Sequence, residues 1–84
     1  MNSYMSRKEV RLGKTKRILA FVATCVEATA RTLNISYKEV FTRMMSLGLI
    51  DNYIYPNYEV LHSESRENIV KDLIECMQEW EGRA

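Results

Sequence analysis

Between Lys14 and Leu33 the residues Ile18, Val22, Cys25, Val26, Thr29 and Leu33 fall at i, i+4, i+7, i+8, i+11 and i+15. That spacing lines one face of an α-helix. At a rise of 1.5 Å per residue such a helix is about 30 Å long, the width of a small domain. Leu19, Phe21 and Ala23 widen the stripe, so contact on more than one side is expected. Asn34 suits a left-handed stop. This rod is the scaffold on which the rest of the chain must pack.

The second helix announces itself at Ser36, followed at the capping-box spacing by Glu39. Tyr37, Val40, Phe41, Met44 and Met45 are expected as its buried stripe, with Lys38 and Arg43 on the wet side. Gly48 is placed to end it as a left-handed cap, with Leu49 closing against Met44. A last helix is predicted from near Ser65 to about Glu81: Ile69, Val70, Leu73, Ile74, Met77 and Trp80 share one face, Glu67 suits its first turn, and Gly82 is expected to close it.

Residues 50–62 join these two helices and admit two readings. Asp51 is placed to cap a short turn, and Tyr55 is discouraged from helical geometry by the proline that follows. Pro56-Asn57 would suit a type I turn between two short strands, but an isolated hairpin is marginal and no third strand is in view. Short helical turns across the ends of the long helices are favoured. With only three glycines and one proline in 84 residues, the expected fold is all-α: three main helices, with short helical turns between the second and third. Residues 14–82 form one helical domain, and residues 1–13 are read as a flexible basic arm.

The charge is polarised. Residues 1–20 carry Arg7, Lys8, Arg11, Lys14, Lys16 and Arg17 against Glu9, a net +5, and the remainder holds six bases and ten acids, a net −4. Such asymmetry speaks of partners rather than of fold. Cys25 and Cys76 lie in apolar helical patterns without a CxxC, which points to reduced core thiols in the cytoplasm. A disulfide between them is the less favoured alternative. The longest apolar run, Ile18 to Val26, is far short of the roughly 20 residues of a membrane span, and no cleavable leader is evident.

Little in the chain is equipped for catalysis. One histidine and two cysteines on separate helices do not make a four-ligand zinc site, and no glycine-rich phosphate loop occurs. No enzyme, metal or cofactor is therefore expected. Tyr53, Tyr55 and Tyr58 with Trp80 would suit an aromatic recognition surface, or would simply cover a thin core. His62 is read as a cap or loop contact, against the alternative of a partner contact. The basic arm is the one nucleic-acid signal. Arg31, Lys38 and Arg43 could line a recognition helix, although the turn Asn34-Ile35-Ser36 lacks the usual glycine.

From Ile18 to Trp80 the chain resembles a family of small bacterial proteins known as domain-of-unknown-function family 3791. The resemblance rests on the apolar helix ILAFVATCVEATARTLNIS, on Lys38-Glu39-Val40-Phe41, on Gly48-Leu49-Ile50-Asp51, and on the closing Ile69-Val70-x-Asp72-Leu73-Ile74. Its most specific piece is Tyr58-Glu59-Val60-Leu61-His62-Ser63, close to the family's tyrosine-acid-x-leucine-histidine-threonine pattern, with Ser63 in place of threonine. No activity is implied. The family's members resemble accessory proteins encoded beside others that look like ADP-ribosyltransferases, which implies the neutralising partner of a toxin.

The expected function is thus a protein-interaction module, an antitoxin that binds its toxin through Tyr53, Tyr55, Tyr58, His62 and Arg43. The alternative is a helix-turn-helix-like DNA-binding regulator using Arg7, Lys8, Arg11, Lys14, Lys16 and Arg17. A homodimer through the wide apolar surface of the first helix is compatible with either. No membrane role is expected.

Overall fold

The computed structural model describes the backbone of residues 7–83 and the side chains of residues 13–83. Helix α1 runs over Arg7–Leu33. It begins at Arg7 rather than near Lys14, because RKEVRL is made of good helix formers and one glycine at position 13 costs only about 1 kcal/mol. Residues 7–13, expected as part of an arm, therefore continue the scaffold helix. Residues 1–6 of that arm lie outside the described residues.

Ile18, Val22, Cys25, Val26, Thr29 and Ala30 form the buried stripe of α1, while Leu19 and Ala23 are exposed. The helix is nevertheless contacted from several sides: by α2 (Tyr37–Leu47), by α4 (Arg66–Arg83), and through Phe21 by Tyr58. Asn34 ends it with φ 58°, the left-handed stop its sequence suggests. The chain bends by 116° into α2. Ser36 Oγ accepts the Glu39 N–H at 3.0 Å, the serine half of the capping box. Gly48 closes α2 at φ 71°, its N–H donating to the carbonyls of Met44 and Met45.

The buried face of α2 is narrower than its apolar pattern. Val40 and Met44 are buried, but Tyr37, Phe41 and Met45 are exposed. A helix that crosses its neighbour steeply rests on one narrow row of side chains, here Val40, Met44 and half-buried Leu47. The next row, at i, i+4 and i+8, is left to face outward.

After Gly48 the chain makes a π-helical turn, Ile50–Ile54, then the single-turn helix α3, Tyr58–Leu61. The described residues contain no strand, so the hairpin alternative is not formed. Asp51 lies within the first turn and does not cap it. Tyr55 is helical, at φ −61° and ψ −52°, despite Pro56. Its N–H reaches the Ile50 carbonyl at 2.9 Å, and this wide turn sinks Leu49, Ile50 and Ile54 into the core together. Burial of three aliphatic side chains, each contributing about 1.5–3 kcal/mol, outweighs the local preference.

Ser65 caps α4, accepting the Asn68 N–H at 3.2 Å. Ile69, Val70, Leu73 and Met77 are its buried face. The helix runs through Gly82 to Arg83 instead of stopping at the glycine, and Arg83 pairs with Glu79 one turn back. One apolar cluster, from Ile18 to Met77, holds the helices together. Both cysteines are free thiols, Cys25 buried and Cys76 half-buried. Burial pushes the Cys25 thiol up to about 12. Among the described residues no single helix is long and apolar enough to cross a membrane.

Candidate functional site

The residues expected to recognise a partner are divided between two sides of the bundle. Tyr53 is half-buried, with its ring edge-on to Trp80 at 6.3 Å and its hydroxyl donating to the Asp72 carboxylate. Desolvation and, after it, that hydrogen bond hold the Tyr53 hydroxyl well above its ordinary range. Arg43 also turns inward. Its Nε and Nη2 each donate to Glu81 at 2.9 Å, a bidentate clamp between α2 and α4. The hydrogen bonds raise the arginine and lower the Glu81 carboxyl.

Tyr58 and His62 face α1. Tyr58 packs edge-on against Phe21 at 5.4 Å and against His62 at 4.7 Å. His62 ends α3 through its backbone N–H, bonded to Tyr58 O at 2.9 Å, and its Nε2 lies 4.0 Å from a Glu59 oxygen. Glu59 also meets Lys14 at 3.5 Å. The Tyr55 ring is exposed, with its hydroxyl 3.4 Å from that of Thr15. Of the five, Tyr55 and His62 alone are exposed.

The side chains of Arg7, Lys8 and Arg11 lie outside the described residues. Lys14 is engaged with Glu59, and Lys16 and Arg17 are exposed on α1. Arg31 pairs with Glu27 at 3.0 Å, one turn before it. Among the bases considered for a recognition helix, Lys38 is the exposed one without an ion pair among the described residues.

The feature that sequence periodicity misplaces is the outer row of α2. The rings of Tyr37 and Phe41 stack at 6.3 Å with 12° between their planes. Met45 continues the row one turn on, and the three side chains are 44%, 38% and 51% exposed. Six apolar residues on an 11-residue helix are more than a thin-cored chain can bury, although their pattern does not say which of them stay outside. A row of two aromatic rings and a thioether offers large contact area with few rotors, as protein-recognition surfaces do.

A groove lies between α1 and α4. Its volume is about 730 Å³, with Ala28, Val70 and Ile74 among its lining, and charged side chains on both borders. Among the described residues no group of three or more His, Cys, Asp or Glu side chains is placed to hold a metal ion.

Residues 20–80 match the family model described as protein of unknown function (DUF3791), and the chain belongs to that family. That description assigns no catalytic activity. No curated protein and no solved structure matches the chain.

Proposed function

We propose that this chain is a protein-binding module whose recognition element is the outer row of α2, Tyr37, Phe41 and Met45. The observation that carries the reading is the exposure of this continuous apolar row on a chain that has every incentive to bury it. Covering such a row is favourable by about 25 cal/mol per Å² of apolar area removed from water. The partner is a toxin resembling an ADP-ribosyltransferase, and the chain acts as its neutraliser rather than as an enzyme. The partner class rests on the family resemblance, whose members are similar to accessory proteins encoded beside such toxins. Tyr55 and His62, exposed on the turn segment, would lie at the edge of the contact rather than at its centre.

The test is co-expression with the adjacent open reading frame, followed by size-exclusion chromatography with light scattering and calorimetric titration. Co-elution at a fixed stoichiometry and loss of the partner's NAD turnover are expected. Replacing Phe41 with alanine should weaken binding about 30-fold or more, the effect of a central aromatic anchor. A complex that forms equally well after Tyr37→Ala, Phe41→Ala and Met45→Ala together would refute the assignment.

The DNA-regulator reading is favoured by one observation: a three-residue connection, Asn34–Ser36, and a bend of 116° between α1 and α2, within the range of helix-turn-helix units. It ranks second because the outward row of α2 is apolar, and Arg31 and Arg43 are bound to acids. DNA binding would weaken steeply with salt, whereas an apolar interface would not.

A further inference from the structure

The groove between α1 and α4 takes no lining residue from α2, so it is a surface distinct from the Tyr37–Phe41–Met45 row. Its floor is apolar and shallow-sided at Ala28, which permits close approach of another helix. Charged side chains border the floor: Glu27 and Arg31 from α1, then Arg66, Glu67, Lys71 and Glu75 from α4. Acids and bases are equal in number, and their order carries the information. Along α4 the signs run plus, minus, plus, minus; along α1 they run minus, plus.

A row whose signs are opposite at every pair of positions counted inward from its two ends, as in both of these, is its own complement when run antiparallel to itself. A two-fold axis lying across the groove would set α1 on α1 and α4 on α4 of a second copy in opposite directions. With the axis at the midpoint of Arg66 and Glu75, Arg66 faces Glu75 and Glu27 faces Arg31, each pair occurring twice, while Glu67 of one copy and Lys71 of the other lie roughly 4.5 Å apart along the helix. The same helices laid parallel would set every sign on its like. Within one chain, the ion pairs among the described residues leave Arg66, Glu67, Lys71 and Glu75 unused.

We infer that the α1–α4 groove is the self-association face of this chain, closed by a second copy about a two-fold axis. The contact is isologous, so one patch serves both partners and the assembly closes at two. Ala28, Val70 and Ile74 supply the dry centre, and the charge order fixes the antiparallel register, as flanking charges do in paired helices. The dimer presents two α2 rows, each free to bind.

Sedimentation velocity of the full chain from micromolar to millimolar concentration tests this, with the dimer expected at twice the 9.9 kDa chain mass. Glu75→Arg turns both of its symmetric pairs repulsive and should raise the dissociation constant about tenfold or more. Arg66→Glu should do the same. Combining Arg66→Glu with Glu75→Arg restores the complement, and the constant should return to within about threefold of the parent. Both positions are exposed, and unchanged helicity of the three variants by circular dichroism guards against misfolding. A chain that sediments at the single-chain mass throughout would overturn the proposal, as would a dimer that survives both single reversals. Dissociation by Phe41→Asp but not by Glu75→Arg would move the contact to α2 and overturn it equally.

Discussion

Thr29 lies in the middle of the buried stripe of α1, fully inaccessible, and its hydroxyl oxygen has no hydrogen-bond partner among the described residues. A buried hydroxyl left without a partner costs about 1–3 kcal/mol. Thr29→Val keeps the branched shape, removes that group and places a methyl where it stood, which adds about 0.8 kcal/mol of burial. Valine and threonine have similar helix propensities, so the backbone is nearly indifferent. The expected gain is roughly 2 kcal/mol. At 4–8 °C per kcal/mol for a domain of this size, the midpoint of thermal unfolding should rise by roughly 10 °C. Thr29→Ser, which keeps the hydroxyl and loses the methyl, should lower it by about half as much. Calorimetry on the three proteins at one concentration decides the matter. If Thr29→Val melts lower than the parent while Thr29→Ser is neutral, the hydroxyl has a partner and the reasoning fails.

The two ends of helices α2 and α4 should respond oppositely to alanine. Gly48 sits at φ 71°, and an added Cβ would meet the Asn52 side chain at 2.8 Å, so Gly48→Ala should cost about 1–2 kcal/mol in urea unfolding. Gly82 is helical with open space around it, so Gly82→Ala should stabilise by about 0.5 kcal/mol, less than a mid-helix site would give. Arg43→Ala should cost up to about 1 kcal/mol at low salt and less at high salt, because the clamp with Glu81 is partly exposed. The Glu81 carboxyl is lowered in the folded state, so the clamp's contribution is present above the usual carboxylate range and is lost as the pH falls through and below it. Acid titration of the parent and of Glu81→Gln should therefore converge at low pH. On the alkaline side the sign reverses. The Cys25 thiol is raised from 9.0 to about 12 by burial, so its contribution is full below pH 9 and drains away between pH 9 and 12. Cys25→Ala should flatten the stability curve in that window, and native Cys25 should resist thiol reagents at pH 8 until the chain unfolds.

What the sequence made legible was local. Asn34, Ser36, Gly48 and Ser65 each act on backbone groups within a few residues, so their roles at helix ends could be read from spacing alone. The core positions of α1 and α4 follow from a period of 3.6. The failures share a cause in long-range geometry. Periodicity shows that Tyr37, Phe41 and Met45 are apolar, but only the crossing of α2 over α1 shows that they miss the core. The inward turns of Tyr53 to Asp72 and of Arg43 to Glu81 join residues 19 and 38 apart, which no local pattern encodes. Gly82 suits a helix stop because glycine weakens helices, yet α4 continues to Arg83, which pairs with Glu79 one turn back. Pro56 discourages helical geometry at Tyr55, and the burial of Ile50 and Ile54 overrides that local preference.

The connections between helical elements are short: Asn34–Ser36, Gly48–Leu49, Tyr55–Asn57 and His62–Ser65. Chains whose helices are joined by connections this short lose little loop-closure entropy in bringing neighbouring helices together, and helical domains of this kind fold in microseconds to milliseconds. Synthesis is far slower, at about 5–20 residues per second. Once its last turn clears the ribosome, the chain should be folded before one further residue could have been added, and its readiness to bind would be set by translation alone.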